Sequence, residues 1–594
     1  MNQRLPVGVL MLSAALMGCG QLQNSVQPPA STTQVAALAV TPTTLASFTA
    51  SSAPTAQGWT ASVTKSGSAG GELVTDGGQA AWKVDGVGGR AQWLFTLNAT
   101  QKASAAANGW RMTSVIRMES GGYINDYYAN GSRRFLPVLA LTSGNLTISL
   151  EGGASNLVLA TGTAATAYHT YVQEFDPATN QVTLTFDGVR VATWSGAGTT
   201  QNYVAWGDGS SGTDSVAYYR SVKFEIAAPS RLERDVFLGG RDSMPYYRIP
   251  SLNVLPSGTL IAAIQGMQGT SDPGAAGQLI NITIKRSTDD GASWSAEQVI
   301  AANNSYDYSD PRLVVDDQSN TVFAFYTRFP DDCGQNANCN PPGIDDPRAT
   351  ALFYRKSNDE GQTWADPVNI NVQVKDPTWR TLNSGPGNGI QLKNQTAAQG
   401  AHNGRLIFPA IVRDGNSVFY TVSIYSDNGG QTWQRGTLAP APGATEGDLT
   451  ELNDGRLLLS SRNDGSASVN RYHLMSSDGG ITWTAISLGG VRVTRVDTSI
   501  TNTNLNGTAT VLLSAPLGDL NTAGFAANSR NNLGLWISID QGATFPSFKH
   551  IAYGFAAYSA MIPLKNGNIG VLYETTPNST THFSSLSPTS LITP

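Results

Sequence analysis

Ser287-Thr-Asp289-Asp-Gly291-Ala-Ser293-Trp294 is the first of five copies of one pattern, Ser-x-Asp-x-Gly-x-Thr/Ser-Trp. The others run from Ser357 to Trp364, Ser426 to Trp433, Ser476 to Trp483 and Ser538 to Phe545. Asn428 replaces Asp in the third, and Phe545 replaces Trp in the fifth. A repeat of this kind marks a solenoid or a propeller. The chemistry is that of a tight turn: short polar side chains bond to nearby backbone, Gly takes a positive φ, and the aromatic packs between units. The boxes therefore read as structure, not catalysis.

A second repeat, offset from the first, consists of hairpin-like turns around Gly258, Asn320, Gly404, Gly455, Gly507 and Gly567. Each is followed by an apolar strand-like run such as Thr259-Leu-Ile-Ala-Ala or Arg456-Leu-Leu-Leu. The first five turns are each followed by a box. The pattern predicts an all-β chain whose larger part is a six-bladed β-propeller, the last blade completed by a strand from near residue 235. It also sorts residues by rim. Arg248, Glu446 and Tyr558 precede first strands, Arg462 and Glu574 follow second strands, Arg530 begins a third, and Asp272 lies in a second-to-third loop. All seven fall on the rim opposite the boxes, with Glu446 opposing Arg462 and Tyr558 opposing Glu574 across their hairpins. Asp307 and Asp310 lie near the same rim, although Asp310-Pro311 suits a turn. A lone rim arginine more often makes a structural salt bridge. Three at matching offsets, with carboxylates and a tyrosine, predict an anion-binding funnel.

Over residues 231–590 the chain resembles the sialidase family. The motifs that carry the resemblance are Tyr247-Arg248-Ile249-Pro250, the boxes, Gly385 to Leu392, Thr445-Glu446, Arg462-Asn463, Arg530, Tyr558-Ser559 and Leu572-Tyr573-Glu574. The resemblance implies a retaining exo-α-sialidase. Arg248, Arg462 and Arg530 would grip the substrate carboxylate, with Glu574 orienting Arg248. Tyr558 would be the nucleophile, Glu446 its partner and Asp272 the acid/base. These roles suit the residue types. Planar guanidinium forks match carboxylates, and a neutral phenol escapes the repulsion an anionic nucleophile would meet. The chain departs from the Asp-x-Arg that many bacterial members carry before the acid/base. Gln265 and Met267 stand there, implying altered contacts to the C4 and N-acyl side of the sugar. Three alternatives stay open: a trans-sialidase, a hydrolase of a related ulosonic acid such as deaminated sialic acid, and a non-catalytic sialoside-binding propeller.

The 594 residues leave room for more than one domain, and only 13% are charged while 62 are Gly, as in turn-rich β proteins. A net charge of −6 argues against nucleic-acid binding, so an anionic substrate must be held by local arginines. Five His without paired ligand spacing leave no expected metal or other cofactor.

Residues 1–18 read as a signal peptide, with Arg4 before an apolar run and Leu16-Met17-Gly18-Cys19 at its end. The ending resembles a bacterial lipobox, implying lipidation of Cys19, a flexible tether over 19–55, and export to the bacterial surface or outer membrane; plain secretion is the alternative. Cys333 and Cys339 are expected to form a disulfide in an exported protein. Residues 56–228 carry alternating runs, such as Trp110 to Met118 and Gln181 to Trp194, and predict a β-sandwich. They resemble laminin-G/concanavalin-like jelly rolls. The composition break at Ala227-Ala-Pro229 predicts that this domain and the propeller over 229–594 fold independently. Sialylated glycans are the expected partner, and a monomer the expected state.

Overall fold

The computed structural model describes residues 42–594 except 66–69, 178, 228–231, 271, 273–276, 333–339, 466–470, 489–490, 492, 519–528, 578, 589–590 and 592–594. Cys19, Cys333 and Cys339 lie outside the described residues, as do the expected signal and lipid anchor. Among the described residues no helix is long and apolar enough to cross a membrane.

Each propeller strand can be traced to its sequence signal. The first blade joins Tyr246–Val254, Leu260–Met267, Ile280–Ser287 and Gln298–Ala301 in sequence order. Its second strand, Leu-Ile-Ala-Ala-Ile-Gln-Gly-Met, is buried at every position because neighbouring blades cover both of its faces. The second blade joins Tyr306–Asp316, Thr321–Pro330, Ala351–Ser357 and Val368–Asn369. In the third, Thr381–Asn383 and Ile390–Gln391 both pair with Leu406–Arg413, which leads to Phe419–Ser426 and Gln434–Leu438. The fourth joins Ala444–Glu451, Leu457–Asn463, Tyr472–Ser476 and Thr484–Ile486. The last joins Ser559–Pro563, Ile569–Thr576 and Thr580–Leu586, completed by Leu232–Leu238 from the start of the propeller.

Six separate blades are predicted from the repeats, but only five sheets stand alone. The strands Ser499–Leu505, Thr508–Pro516, Asn531–Ser538 and Ser547–Phe555 form an antiparallel set that merges with the N-terminal sheet. The merger is one parallel bridge, Arg190 to Ala552.

The boxes are turns whose polar groups satisfy one another. In the first, Ser287 Oγ donates to Asp289 Oδ1 (2.7 Å), and Ser287 Oγ accepts from Gly291 N (2.9 Å). Asn428 keeps the geometry by accepting from Ser426 Oγ and donating from Nδ2 to Thr432 Oγ1. Gly291, at φ 87°, sits so close to the last blade that a Cβ would lie 2.1 Å from Phe583. Gly430 meets Phe323 of the preceding blade in the same way, at 2.3 Å. Each box thus caps the cleft between its own blade and the one before. The apolar cores also lie between blades, as in Phe323, Phe325, Phe408 and Trp433.

The N-terminal strands, expected as a β-sandwich, are linked through one long strand. Trp110–Asn130 is a single strand of 21 residues. Its first half pairs with His169–Asp176 and Val216–Ile226, its second with Asn202–Asp208. At Gly121 (φ 86°) a Cβ would meet Asp214 O at 2.0 Å, so only Gly fits where the strand passes from one layer to the next. The result is one connected hydrogen-bonded network. Thr43–Thr49 also pairs with Val216–Ile226, so the tether predicted over 19–55 is wrong from Thr43 onward. The two regions also touch. Arg234 of the propeller bonds to Asp176 (2.5 Å), and the Phe186 and Tyr553 rings meet at 6.1 Å.

His473 in the fourth blade offers a test of this packing. Burial, followed by the Arg471 charge, pushes its pKa down to about 3. Because the folded value lies below the unfolded one, near 6.5, its contribution is complete above pH 6.5 and is lost as pH falls toward 3. His473→Gln should therefore be less stable than the parent at pH 7, with a deficit that narrows as pH drops through 6. Chemical denaturation at several pH values measures this, and a pH-independent deficit would contradict it.

Candidate functional site

The rim residues predicted from the repeats converge on Tyr558. Its hydroxyl donates to Glu446 Oε1 at 2.8 Å and accepts from Arg462 Nη1 at 3.3 Å. Arg462 Nη1 also bonds to Glu446 Oε2 (2.9 Å). The guanidinium carbons of Arg248 and Arg530 each lie 5.2 Å from the centre of the Tyr558 ring. Three guanidiniums and a carboxylate thus surround one phenol that is only 3% exposed.

The strand geometry explains this convergence. Glu446 and Arg462 face each other across one hairpin, and a bulge between Ala444 and Gly447 re-aims Glu446. Across the last blade's hairpin, Glu574 N donates to Tyr558 O at 3.1 Å. Arg248 precedes a bulge that extends to Ser251, and Ile249 takes φ 63°, a strained value for a β-branched residue. Buried Glu574 holds that strain, since its Oε1 accepts from Ile249 N (2.8 Å) and lies 3.5 Å from Arg248 Nε. Asp310, at φ 55° beside a bulge between Ser309 and Arg312, repeats the device in the second blade.

Burial, followed by the Glu446 charge, holds the Tyr558 hydroxyl well above its ordinary pKa, while the three arginines act the other way. The phenol is therefore protonated at neutral pH, with Glu446 positioned to take the proton. Arg248 and Arg462 are held more firmly cationic than usual; Glu446 is the main cause at Arg462, whereas at Arg248 Glu574 and Asp272 overcome burial. Among the described residues, the buried Nη2 of Arg248 has no hydrogen-bond partner. That donor fits an anionic ligand.

Asp272 lies in this cluster, with its carboxylate on Arg248. Its Oδ2 accepts from Arg248 Nη1 (2.7 Å) and its side chain is 17% exposed. The carboxylate thus occupies Nη1 of Arg248 and leaves Nη2 unpartnered. Gln265 and Met267 are not open pocket walls. They are 0% and 1% exposed, and the Gln265 amide is already used, donating to Asp272 Oδ1 (2.9 Å) and accepting from Asp310 N (3.2 Å). Gln265 therefore holds the Asp272 carboxylate.

Asp464 is missing from the sequence prediction, and Asp310, placed near this rim but read as a turn residue, belongs to the cluster. Asp464 Oδ1 accepts from both Arg462 Nε (3.0 Å) and Arg495 Nη2 (2.8 Å). It orients Arg462 as Glu574 orients Arg248, and its signal is a place two residues beyond Arg462. Asp310, a turn residue by its sequence, is buried; burial, then Asp272 and Glu446, keep its carboxyl well above the usual range. A cavity of about 480 Å³ opens on the box rim instead, lined by residues such as Asn253, Gln391, Thr450 and Asn502. Several of its amide donors are spent internally, Asn253 Nδ2 on Leu313 O and Gly389 O, for example. The Tyr558 cluster is on the other rim.

Comparison with known proteins gives the family. Residues 258–571 match the BNR repeat-like domain, and residues 74–238 match the Vibrio cholerae sialidase lectin insertion. The Vibrio cholerae sialidase is 29% identical over 81% of this chain and 87% of its own length. The Micromonospora viridifaciens sialidase is 33% identical over 58% of this chain and 52% of its own. Two solved structures share the fold at 20% identity. Hadza microbial sialidase Hz136 has a TM-score of 0.56 over 82% of this chain and 94% of its own. The leech intramolecular trans-sialidase has 0.52 over 86% and 98%. With the BNR repeat-like domain spanning more than half of its residues, this chain belongs to the sialidase family.

Proposed function

We propose that the protein is a retaining exo-α-sialidase that removes terminal sialic acids from glycoconjugates. One observation supports this reading above the others: a buried phenol 2.8 Å from a carboxylate, beneath three guanidiniums. The substrate carboxylate would lie across Arg248, Arg462 and Arg530, displacing Asp272 from Arg248. Tyr558 Oη then attacks the anomeric carbon while Glu446 takes its proton, and Asp272 protonates the departing glycosidic oxygen. In the second half Asp272 removes a proton from water, which releases the sugar from Tyr558, and Glu446 returns the phenolic proton. The N-terminal region is a candidate glycan-binding unit on the lectin-insertion match. Export with a lipid anchor at Cys19 completes the reading.

The test is hydrolysis of a fluorogenic α-sialoside followed by proton NMR. Free sialic acid should emerge first as the α-anomer. Initial β-anomer would mean inversion, an anhydro sugar would mean intramolecular transfer, and no turnover on any sialoside would remove the enzymatic reading.

A further inference from the structure

Arg190 belongs to the N-terminal region, yet its side chain ends inside the propeller. It is 6% exposed, its Nη1 donates to Tyr573 Oη (3.1 Å), and its Nε lies 3.5 Å from Glu233 Oε2. Glu233 also takes His582 Nε2 at 2.5 Å and Ser584 Oγ at 2.7 Å, while His582 Nδ1 meets Asp235 Oδ1 at 2.8 Å. His582 faces Tyr573 in the strand register, so the contact closes on itself. The backbone of Arg190 makes the bridge to Ala552, six residues before Tyr558.

The contact reaches the site because the chain neighbour of Tyr573 is Glu574, whose carboxylate holds Arg248 and Ile249. The peptide N–H joining the two residues donates to Tyr558 O at 3.1 Å. Tyr573 itself is fully buried, packed with Ile551, Ala552 and Ala556. Successive strand residues point to opposite faces, so fixing the Tyr573 ring on one face fixes Glu574 on the other. The N-terminal region thereby grips two segments that supply the site, the approach to Tyr558 and the Tyr573–Glu574 peptide.

We infer that Arg190 is a positioning residue for the proposed sialidase reaction, and that the N-terminal region is a working part of the catalytic unit. This rests on the sialidase reading. A buried guanidinium bonded to a tyrosine hydroxyl is short-range and directional, so it transmits position where a general apolar interface would not. Arg190 touches no substrate. It acts through Tyr573 on Glu574, and through Glu574 on Arg248.

The experiment uses the full chain and a fluorogenic sialoside, with Arg190→Gln, Arg190→Lys, Tyr573→Phe, Glu574→Gln and the Arg190→Gln/Glu574→Gln double variant. Arg190→Gln should raise KM about fivefold and lower kcat, with Lys recovering part of the loss. The double variant should be no worse than Glu574→Gln alone within about twofold, because coupled residues are not additive. A purely structural role would lower the thermal midpoint, leave KM of the folded protein unchanged, and give additive losses. Either the unchanged KM or the additivity overturns the inference. Tyr573→Phe deletes a single hydroxyl and gives the same readout if Arg190→Gln does not fold. A parent inactive on every sialoside would indict the sialidase reading instead, since the inference fails only against an active parent.

Discussion

Tyr558→Phe should lower kcat on a fluorogenic sialoside by about a thousandfold or more while the variant stays folded and still binds a sialic acid analogue. The substitution removes the oxygen that meets Glu446 at 2.8 Å and leaves the ring under Arg248 and Arg530. Losing a covalent nucleophile costs orders of magnitude, whereas carboxylate binding by the arginines does not need it. Calorimetry with the analogue should show affinity within a few-fold of the parent. A fluorinated sialosyl reagent should add mass to the peptide carrying Tyr558 in the parent and not in the variant. Labelling of another residue, or turnover within tenfold of the parent, would rule out Tyr558 as nucleophile.

Arg462→Lys should cost kcat/KM about 10²- to 10³-fold, with KM raised and kcat lowered together. In the folded chain Arg462 uses Nη1 on Glu446 and Tyr558 and Nε on Asp464, so its position depends on a planar fork with several donors. An ammonium group keeps the charge but loses the second and third bonds. Arg248→Lys should behave alike, because Nη1 and Nε serve Asp272 and Glu574 at once. Steady-state kinetics on folded variants decides the matter. Near-parental kcat/KM in both Lys variants would show that charge alone suffices and that no clamp exists.

Much of this architecture is legible in the sequence because the propeller is written as local turns. The boxes and the offset turns depend on residues within a few positions of one another, so their strands fall where the repeats put them, including the Leu232–Leu238 strand that completes the last blade. The pairing of Glu446 with Arg462 comes from hairpin symmetry, again a local relation. The illegible parts are non-local. Nothing within Asn531 to Phe555 announces that Ala552 pairs with Arg190, or that the fourth-strand edge is therefore shared with another region. Thr43–Thr49 reads as tether, being rich in Thr, Ala and Ser, until its partner Val216–Ile226 is known. Gln265 reads as a pocket donor because sequence gives its rim position, not the Asp272 carboxylate and buried Asp310 amide that consume it. Asp464 has only its place two residues beyond Arg462 as a signal, and nothing in the local pattern separates a carboxylate that orients an arginine from an ordinary turn acid.

The pairing of Leu232–Leu238 with Thr580–Leu586 has a consequence for the order of folding. His582 bonds to Asp235 across 347 positions, so this sheet is a closing seam. Joining ends so far apart costs only about 3 kcal/mol more than closing a ten-residue loop, since the entropy grows with the logarithm of length. Full burial of Phe237 and Phe583 at the seam, at about 1.5–3 kcal/mol for each side chain, is enough to offset that increment. The obstacle is time, not equilibrium. Contacts of such long sequence separation form slowly, and the seam needs a strand made early and another made more than three hundred residues later. Until both are present, an unpaired edge persists on an otherwise assembled ring, the state in which a β protein is most exposed to wrong partners.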